Sequence, residues 1–332
     1  MDAINRWMKF ESLLVQFVKR PYMYAVVFSL LLTAAFTFTL LDTFVIPKAM
    51  RPVSQQDTPW SLPSPEQSPT SNRGASTPGQ AEDVAINDNL DPVITAASYE
   101  DENIKIVIET TRAYDTDVYI ADIQLSGIDY LKSAFAQNIY GRNINEKTSV
   151  IAKEQNAIFA VNGDYYGFRN DGWVLRNGVL YRTGGSDAAL LMDMEGNLSC
   201  NSDKEFIEKQ AADFWQIWSF GPPLVVDDEI PVTKKQEISG RSSYSNPRTA
   251  VGQASELHYI FIVSDGRTEA SAGLSLYELA SLFKERGCSV AYNLDGGGSA
   301  TMYFNGQIIN KPTTDGRRIS EREISDIVYI GY

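Results

Sequence analysis

Apolar and polar positions divide the 332-residue chain into three regimes. Residues 22–41 are twenty consecutive positions without a charge, a glycine or a proline, polar only at Ser29, Thr33, Thr37 and Thr39. A run of that length predicts a helix able to cross a bilayer, and it exceeds the apolar core of a cleaved signal peptide. Over residues 47–96 the pattern is lost, and eight prolines are scattered among Ser, Thr, Gln and Gly. Such a stretch buries too little apolar surface to offset its chain entropy, and it reads as an extended, disordered stalk. From residue 97 onward apolar positions recur with strand and helix periods over about 235 residues, enough for a sizeable core.

Within this last regime, 104–110 and 118–125 alternate as strands, and 157–161 reads as a buried strand. Residues 148–155 predict a short helix with Thr148 as its N-cap. Asn177-Gly178, between apolar 173–176 and 179–182, is the strongest two-residue hairpin signal. Glu195-Gly196-Asn197 marks a second hairpin between 188–194 and 198–200. Residues 205–218 predict a helix with Phe206, Ile207, Phe214, Trp215 and Trp218 on one face. A strand is expected over 259–263. Ser275 and Glu278 form a capping box that opens a helix striped by Leu276, Leu279, Ala280 and Phe283 and ended by Gly287. Residues 324–330 close the chain as a strand. Hairpins with few strand–helix–strand units predict an α+β fold: a mixed, largely antiparallel sheet with a few packing helices, preceded by one transmembrane helix.

Candidate chemistry sits where these elements end. The densest stretch is 289–304, where an apolar run meets Asp295 and Gly296-Gly297-Gly298 before apolar residues resume. It reads as strand, tight loop, strand. Three glycines exceed what a reversal needs, and they leave a backbone that a ligand can approach. The plainer reading is a Gly-rich hairpin whose Asp295 caps its own turn. Asn162-Gly163-Asp164-Tyr165-Tyr166 also follows a buried strand, and two tyrosines are more area than a plain turn uses. Asn246-Pro247-Arg248 offers a planar guanidinium suited to phosphate or carboxylate. Asp265-Gly266-Arg267 sets a carboxylate and a guanidinium two residues apart after a strand. Taken alone, Ser320-Glu321-Arg322-Glu323 reads as a solvated turn and Phe220-Gly221-Pro222 as an architectural one.

Charge and composition narrow the classes. The chain has a net charge of −13. Residues 1–51 carry six Lys/Arg and three Asp/Glu, leaving 23 and 39 in 52–332, a net of −16. That surface suits neither nucleic acid nor anionic lipid, so an anionic substrate requires arginines gathered locally. The single histidine, His258, lies in an apolar strand and reads as structural, which argues against a His-rich zinc site or a His-based triad. No cofactor or dedicated metal motif is present, although scattered Asp and Asn leave Ca²⁺ open. Cys200 and Cys288 cannot form a disulfide framework; whether they pair is left open. Arg6, Lys9, Lys19 and Arg20 precede the apolar span, and Lys48 and Arg51 follow it. The positive-inside rule then gives a cytoplasmic 1–21, an anchor at 22–46, a stalk at 47–96 and an extracytoplasmic domain at 97–332.

Taken together, Asn162 to Tyr166, Phe220 to Pro222, Asn246 to Ala250, Asp265 to Arg267, Asn293 to Ser299 and Glu321-Arg322 resemble the phosphodiester glycosidase family, in the family's order over roughly 145–332. The likeness includes the family's bacterial branch linked to exopolysaccharide. Many members have Gly where this chain has Asp164. The resemblance implies a hydrolase that cleaves the bond from a sugar's anomeric carbon to a substituted phosphate, in an envelope or exopolysaccharide glycan. Asp295 would act at the anomeric carbon, with Glu321, Asp164 or Asp265 as second carboxylate. Arg248 and Arg267 would hold the phosphate with the amides of Gly297 and Gly298, and Ser299 would join the substrate contacts. Asn162 and Asn293 would bond sugar hydroxyls. The expected partners are a glycan or sugar-phosphate and the membrane, not nucleic acid; nothing in the pattern sets an oligomeric state. A non-catalytic glycan-binding module and a glycosyl-phosphate transferase are the other classes the same loops could serve.

Overall fold

The computed structural model of the chain describes residues 22–53, 91–185, 188–233 and 244–332. The expected cytoplasmic segment 1–21 and the stalk residues 54–90 lie outside the described residues. Two compact units result, one ending at Lys48 and one spanning Ala49–Tyr332. In the first, helix α1 (Met23–Phe44) runs 22 residues with no buried position. It is long and apolar enough to cross a membrane.

In the second unit, β1 (Val93–Ile94), β2 (Ser98–Glu100), β3 (Ile104–Ala113), β4 (Thr116–Leu125) and β5 (Leu131–Phe135) precede α2 (Thr148–Glu154). Then come β6 (Phe159–Asn162), β7 (Val174–Arg176), β8 (Val179–Arg182), β9 (Ala189–Asp193), β10 (Leu198–Asn201) and α3 (Lys204–Lys209). Next are β11 (Phe214–Trp218), β12 (Pro223–Val225), β13 (Arg248–Ser255), β14 (His258–Ser264) and α4 (Leu276–Glu285). The chain closes with β15 (Val290–Asn293), β16 (Met302–Phe304), β17 (Gln307–Ile308) and β18 (Asp326–Ile330). Sheet A has the order β12-β15-β13-β14-β4-β3-β2-β1, sheet B β17-β16-β6-β18-β5, and sheet C β8-β7-β11-β9-β10. Every described pair in these sheets is antiparallel. The helix α4 does make a crossover, but β13 lies between the two strands it joins, so β14 and β15 point the same way without pairing.

Alternation along the strands explains the layers. In β14, Tyr259, Phe261 and Val263 face a core shared with sheets B and C, while Ile260 and Ile262 face α4. In β18, Val328 and Ile330 join that shared core, while Ile327 and Tyr329 face α2. Strands buried on both faces read as continuous apolar runs, as these do. The two hairpins at Asn177-Gly178 and Glu195-Gly196-Asn197 form as expected. Ser275 and Glu278 make the reciprocal capping bonds that open α4.

Two expectations need correction. The stretch 205–218 is not one helix. Asp203 caps α3, which stops at Lys209, and Phe214–Trp218 is a strand between β9 and β7. Consecutive aromatic and β-branched residues fit a pleated, half-buried surface better than a helix. Thr148 is the first residue of α2 rather than its cap, and its hydroxyl is buried without a partner. The amide of Ser149 is instead served by the Glu321 carboxylate at 2.9 Å. The glycine stretch is strand, loop, strand as read, and the plainer hairpin alternative fails: β15 belongs to sheet A and β16 to sheet B, so residues 294–301 carry the chain from one sheet to the other. In addition, Val93–Ile94 already pairs with β2, before residue 97, and the amides of Met50 and Val53 bond the carbonyls of Tyr140 and Leu180.

Close approach of α4 to β13 depends on Gly252. A Cβ there would lie 2.7 Å from a Phe283 ring carbon and 2.9 Å from the Val290 carbonyl. Gly252→Ala is expected to destabilise the domain by about 1–3 kcal/mol, seen as a lower urea midpoint at unchanged m-value.

Candidate active site

The ends of β13, β14 and β15, and the loop before β18, open onto one pocket of about 670 Å³. Its lining includes Asp295, Gly296, Gly297, Asn293, Arg248, Arg267 and Arg322. Arg169, Phe220, Tyr165, Tyr244, Ser245 and Asn246 complete the wall.

Asp295 is 7% exposed. Its Oδ1 accepts from the Gly296 amide at 2.9 Å, and its Oδ2 lies 3.5 Å from Arg322 Nη2. Burial pushes this carboxyl above the usual carboxylate range, and Arg322 opposes that shift. The arginines shift the other way. Burial, then the neighbouring Arg267, pushes Arg248 down to about 10. Burial and Arg322 lower Arg267 as well. Like charges held together under partial burial mark a place prepared for an anion. Backbone carbonyls aim the forks: Arg248 Nε donates to Leu274 O at 2.9 Å and Arg267 Nη1 to Thr314 O at 2.6 Å. Arg322 donates to Ser299 Oγ through Nε at 3.0 Å and Nη2 at 2.5 Å.

The structure brings together Asp295, Arg248, Arg267, Asn293 and Gly297 and places the other expected residues behind the pocket. Asn162 is fully buried: its Nδ2 donates to the Asp295 carbonyl at 2.8 Å, and its Oδ1 accepts from Thr249 Oγ1 at 2.7 Å. It fixes the Asp295 backbone from below rather than reaching a sugar. Glu321 accepts from the amide and hydroxyl of Ser149 and does not line the pocket. Asp265 accepts from Tyr119, Asn310 and the Lys311 amide. Asp164 pairs with Arg176 at 2.9 Å and accepts from the Ser219 amide at 2.8 Å. Gly298 and Ser299 are buried beneath the loop. The Gly297 amide donates to the Pro247 carbonyl at 2.8 Å and is therefore already committed.

The sequence reading missed Arg322, Arg169, Phe220 and Tyr244. Arg322 belongs to the matched pair Glu321-Arg322, but its acid–base–acid run reads by itself as a surface turn and no role was assigned to it. Phe220 sits in a turn tied to β15: Asn293 Nδ2 donates to the Gly221 carbonyl at 2.7 Å, and the Gly221–Pro222 bond is cis. His258 lies at the far end of β14 from Ser264, 2.8 Å from Asp122. Cys200 and Cys288 are free, and burial pushes both thiols up to about 12. Among the described residues no group of three or more His, Cys, Asp or Glu is arranged to hold a metal.

The family model of phosphodiester glycosidase matches residues 155–331, more than half of the chain. The chain belongs to the phosphodiester glycosidase family. It is 31% identical over 220 residues to the SPbeta prophage-derived protein YomE of Bacillus subtilis (strain 168), covering 61% of this chain and 32% of that protein. Against the mouse N-acetylglucosamine-1-phosphodiester alpha-N-acetylglucosaminidase it is 31% identical over 131 residues, 38% of this chain and 25% of the relative. The chain thus spans a third or less of these relatives' length. The zebrafish catalytic domain of the same name, auto-inhibited by its pro-peptide, matches with TM-score 0.56 at 23% identity, over 69% of this chain and 83% of that one. A hypothetical protein from Synechocystis matches with TM-score 0.52 at 13% identity, over 69% and 62%. These two likenesses are of fold.

Behind the pocket of this phosphodiester glycosidase family member, one guanidinium serves two buried carboxylates. Arg176 meets Asp164 at 2.9 Å and Asp326 at 3.0 Å. Burial first, opposed by Arg176 and reinforced by Asp164, raises Asp326 to about 7. A carboxyl raised on folding favours the folded state while protonated, so this contribution is present below about pH 4 and is lost as pH rises through about 7. Stability should fall across that window by up to about 1.4 kcal/mol per pH unit from this group. Asp326→Asn should flatten the slope, as measured by urea unfolding at pH 5, 6, 7 and 8; an unchanged slope would assign it elsewhere.

Proposed function

We propose that this protein is a membrane-anchored extracytoplasmic hydrolase that cleaves a glycosyl-1-phosphodiester of a cell-envelope or exopolysaccharide glycan. The observation that carries the reading is the shared pocket of Asp295 with Arg248, Arg267 and Arg322. Family membership supports the reaction class. The name of the mouse relative supports N-acetylglucosamine as the glycosyl unit. The apolar helix Met23–Phe44 supports the anchor, and the basic residues before it support a cytoplasmic N-terminus.

The chemistry follows from the donors present. A phosphomonoester is a good leaving group, so the site must chiefly stabilise an oxocarbenium-like centre and the charge on phosphate. The Asp295 carboxylate acts at the anomeric carbon, as nucleophile or as base to a water. Arg248, Arg267 and Arg322 hold the phosphate, whose charge relieves their mutual repulsion. Asn293 lines the same pocket and its Oδ1 is buried without a partner, an acceptor for a sugar hydroxyl. Glu321, Asp164 and Asp265 act through the scaffold.

Asp295→Asn is expected to lower kcat on a glycosyl-1-phosphodiester by about 10²–10⁴-fold with an unchanged urea midpoint. Full turnover by that variant would sink the mechanism. Product analysis with and without an acceptor sugar separates hydrolysis from transfer, and glycan retention without release of sugar would mark a binding module.

Arg322 tests the electrostatics separately. Removing its charge disfavours the Asp295 carboxylate, so Arg322→Gln should move the acid limb of the kcat/KM profile to higher pH. A limb that stays in place or moves down would show that Asp295 is not the group titrating.

A further inference from the structure

The loop from Gly163 to Trp173 joins β6 to β7 and brings Tyr165 and Arg169 to the pocket wall. Both its ends are tied to neighbours. The Gly163 amide donates to the Asp326 carbonyl at 2.8 Å, and the Trp173 amide to Ser219 Oγ at 2.9 Å. Beyond Gly167 the chain turns outward: Phe168, Asn170 and Asp171 are exposed and Arg169 is half-buried. What holds this stretch is a residue outside it. Arg182, the last residue of β8, donates through Nε to the Gly172 carbonyl at 2.7 Å. Its Nη1 donates to the carbonyls of Arg169 at 2.7 Å and Tyr166 at 3.1 Å. A bulge lies between Leu180 and Arg182, so Arg182 comes to stand opposite Val174, where the loop enters β7. Bulges beside a site re-aim a side chain in this way. Arg182 itself does not line the pocket.

Three carbonyls turned onto one guanidinium fix the path of 166–172. Hydrogen bonds from a charged donor are stronger than neutral ones, and the planar fork sets their directions. A lysine ammonium is a single point and cannot serve carbonyls that face two different nitrogens. The side chain on which this bears is Arg169. Its guanidinium stands over the Phe220 ring at 4.8 Å in the pocket wall. Burial raises the Asp295 carboxyl, and Arg169, after Arg322, is among the groups that oppose the rise. Arg248, Arg267 and Arg322 are each aimed by bonds from their own side-chain nitrogens. Arg169 is set through its main chain. We infer that Arg182 is a positioning residue for the pocket: it fixes the backbone at Arg169 and thereby places the fourth guanidinium. The inference rests on the reading that the pocket takes a phosphate ester.

A double-mutant cycle tests it on the full-length protein in detergent, with binding of inorganic phosphate read by calorimetry. Arg169→Gln should weaken binding about tenfold, the worth of one charged hydrogen bond. Arg182→Lys keeps the charge and should weaken it by about threefold to tenfold. In the Arg169→Gln background the same Arg182→Lys change should cost less than about twofold. Equal losses in the two backgrounds, or an Arg182→Lys protein that binds as the wild type does, would overturn the inference. Hydrogen exchange gives a second reading: in Arg182→Lys the amides of 169–172 should exchange about tenfold faster while β7 and β11 stay protected. Protection lost throughout would make Arg182 a folding residue and overturn the inference as well. Turnover of a glycosyl-1-phosphodiester is scored separately. Coupling of the two arginines without turnover upholds the positioning and defeats the hydrolase reading. Turnover with independent effects defeats the positioning and leaves the reaction standing.

Discussion

The site depends on how closely three elements crowd the Gly296-Gly297-Gly298 crossing. A Cβ at Gly296 would lie 2.7 Å from the Pro247 carbonyl, at Gly297 2.7 Å from Arg267 Nη2, and at Gly298 2.4 Å from Thr314 Oγ1. All three distances are well inside contact, so a side chain at any of them would push away a different wall. Gly297 also has φ of +60°, which an L-residue adopts only under strain. The crossing joins sheet A to sheet B, and Asn162 at the end of β6 ties the two sheets through Thr249 and the Asp295 carbonyl. Gly297 therefore admits Arg267 to the loop, while Gly296 and Gly298 admit the Pro247 carbonyl and Thr314. That requirement, rather than a cradle of free amides, accounts for three in a row.

Electrostatics then act at short range against the overall field. Residues 52–332 carry a net charge of −16, which repels an anion at a distance. Within the pocket four guanidiniums, of Arg169, Arg248, Arg267 and Arg322, share the wall with a single carboxylate, and burial strengthens every charge interaction there. The burial that raises Asp295 also lowers Arg248 and Arg267. Without an anion, carboxylate and guanidiniums are both held away from their preferred charge states. A phosphate that lies across the arginines favours their charged forms. It also counters the pull of Arg322 on Asp295. The arrangement itself favours an anion over a neutral group in the pocket.

Much of the fold was legible because its signals are local. Asn177-Gly178 sets a hairpin, Ser275 and Glu278 cap a helix, and alternating Ile104, Ile106 and Ile108 set a strand face. Where the signal was ambiguous, tertiary context decided. Phe214 to Trp218 satisfy a helical face as spaced, yet Gln216 is buried and bonds Asn177 and Ser133 across strands. The site was legible only at residues that bear chemistry beside a turn: Asp295, Arg248, Arg267 and Asn293. Arg322 sits among acids and Tyr244 in a polar run, and neither reveals from its neighbours what it faces. Conversely, Glu321 and Asp265 have the right chemistry in the right motifs, but their carboxylates cap Ser149 and Lys311. Motif position identifies a loop; which atoms point inward is set by the sheets that the loop connects.

The buried Asp164–Arg176–Asp326 group shows the same division between chemistry and placement. One guanidinium cannot neutralise two carboxylates, so the group is stable near neutrality only if a proton is retained, which the raised Asp326 accommodates. The arrangement has a positional consequence. Asp164 is anchored to Arg176 on β7 and also accepts from the Ser219 amide, one residue before Phe220. Tyr292 of β15 accepts from the Phe220 amide at 2.8 Å. The Phe220 turn is thus held from sheet C through Asp164 and from sheet A through Tyr292. Asp326 on β18 brings sheet B into the same knot. Three sheets converge on one turn of the pocket wall, so Asp164, which does not line the pocket itself, bears on it through the position of Phe220. A chain with Gly in place of Asp164 would need another anchor for that turn, even with the floor of the pocket unchanged.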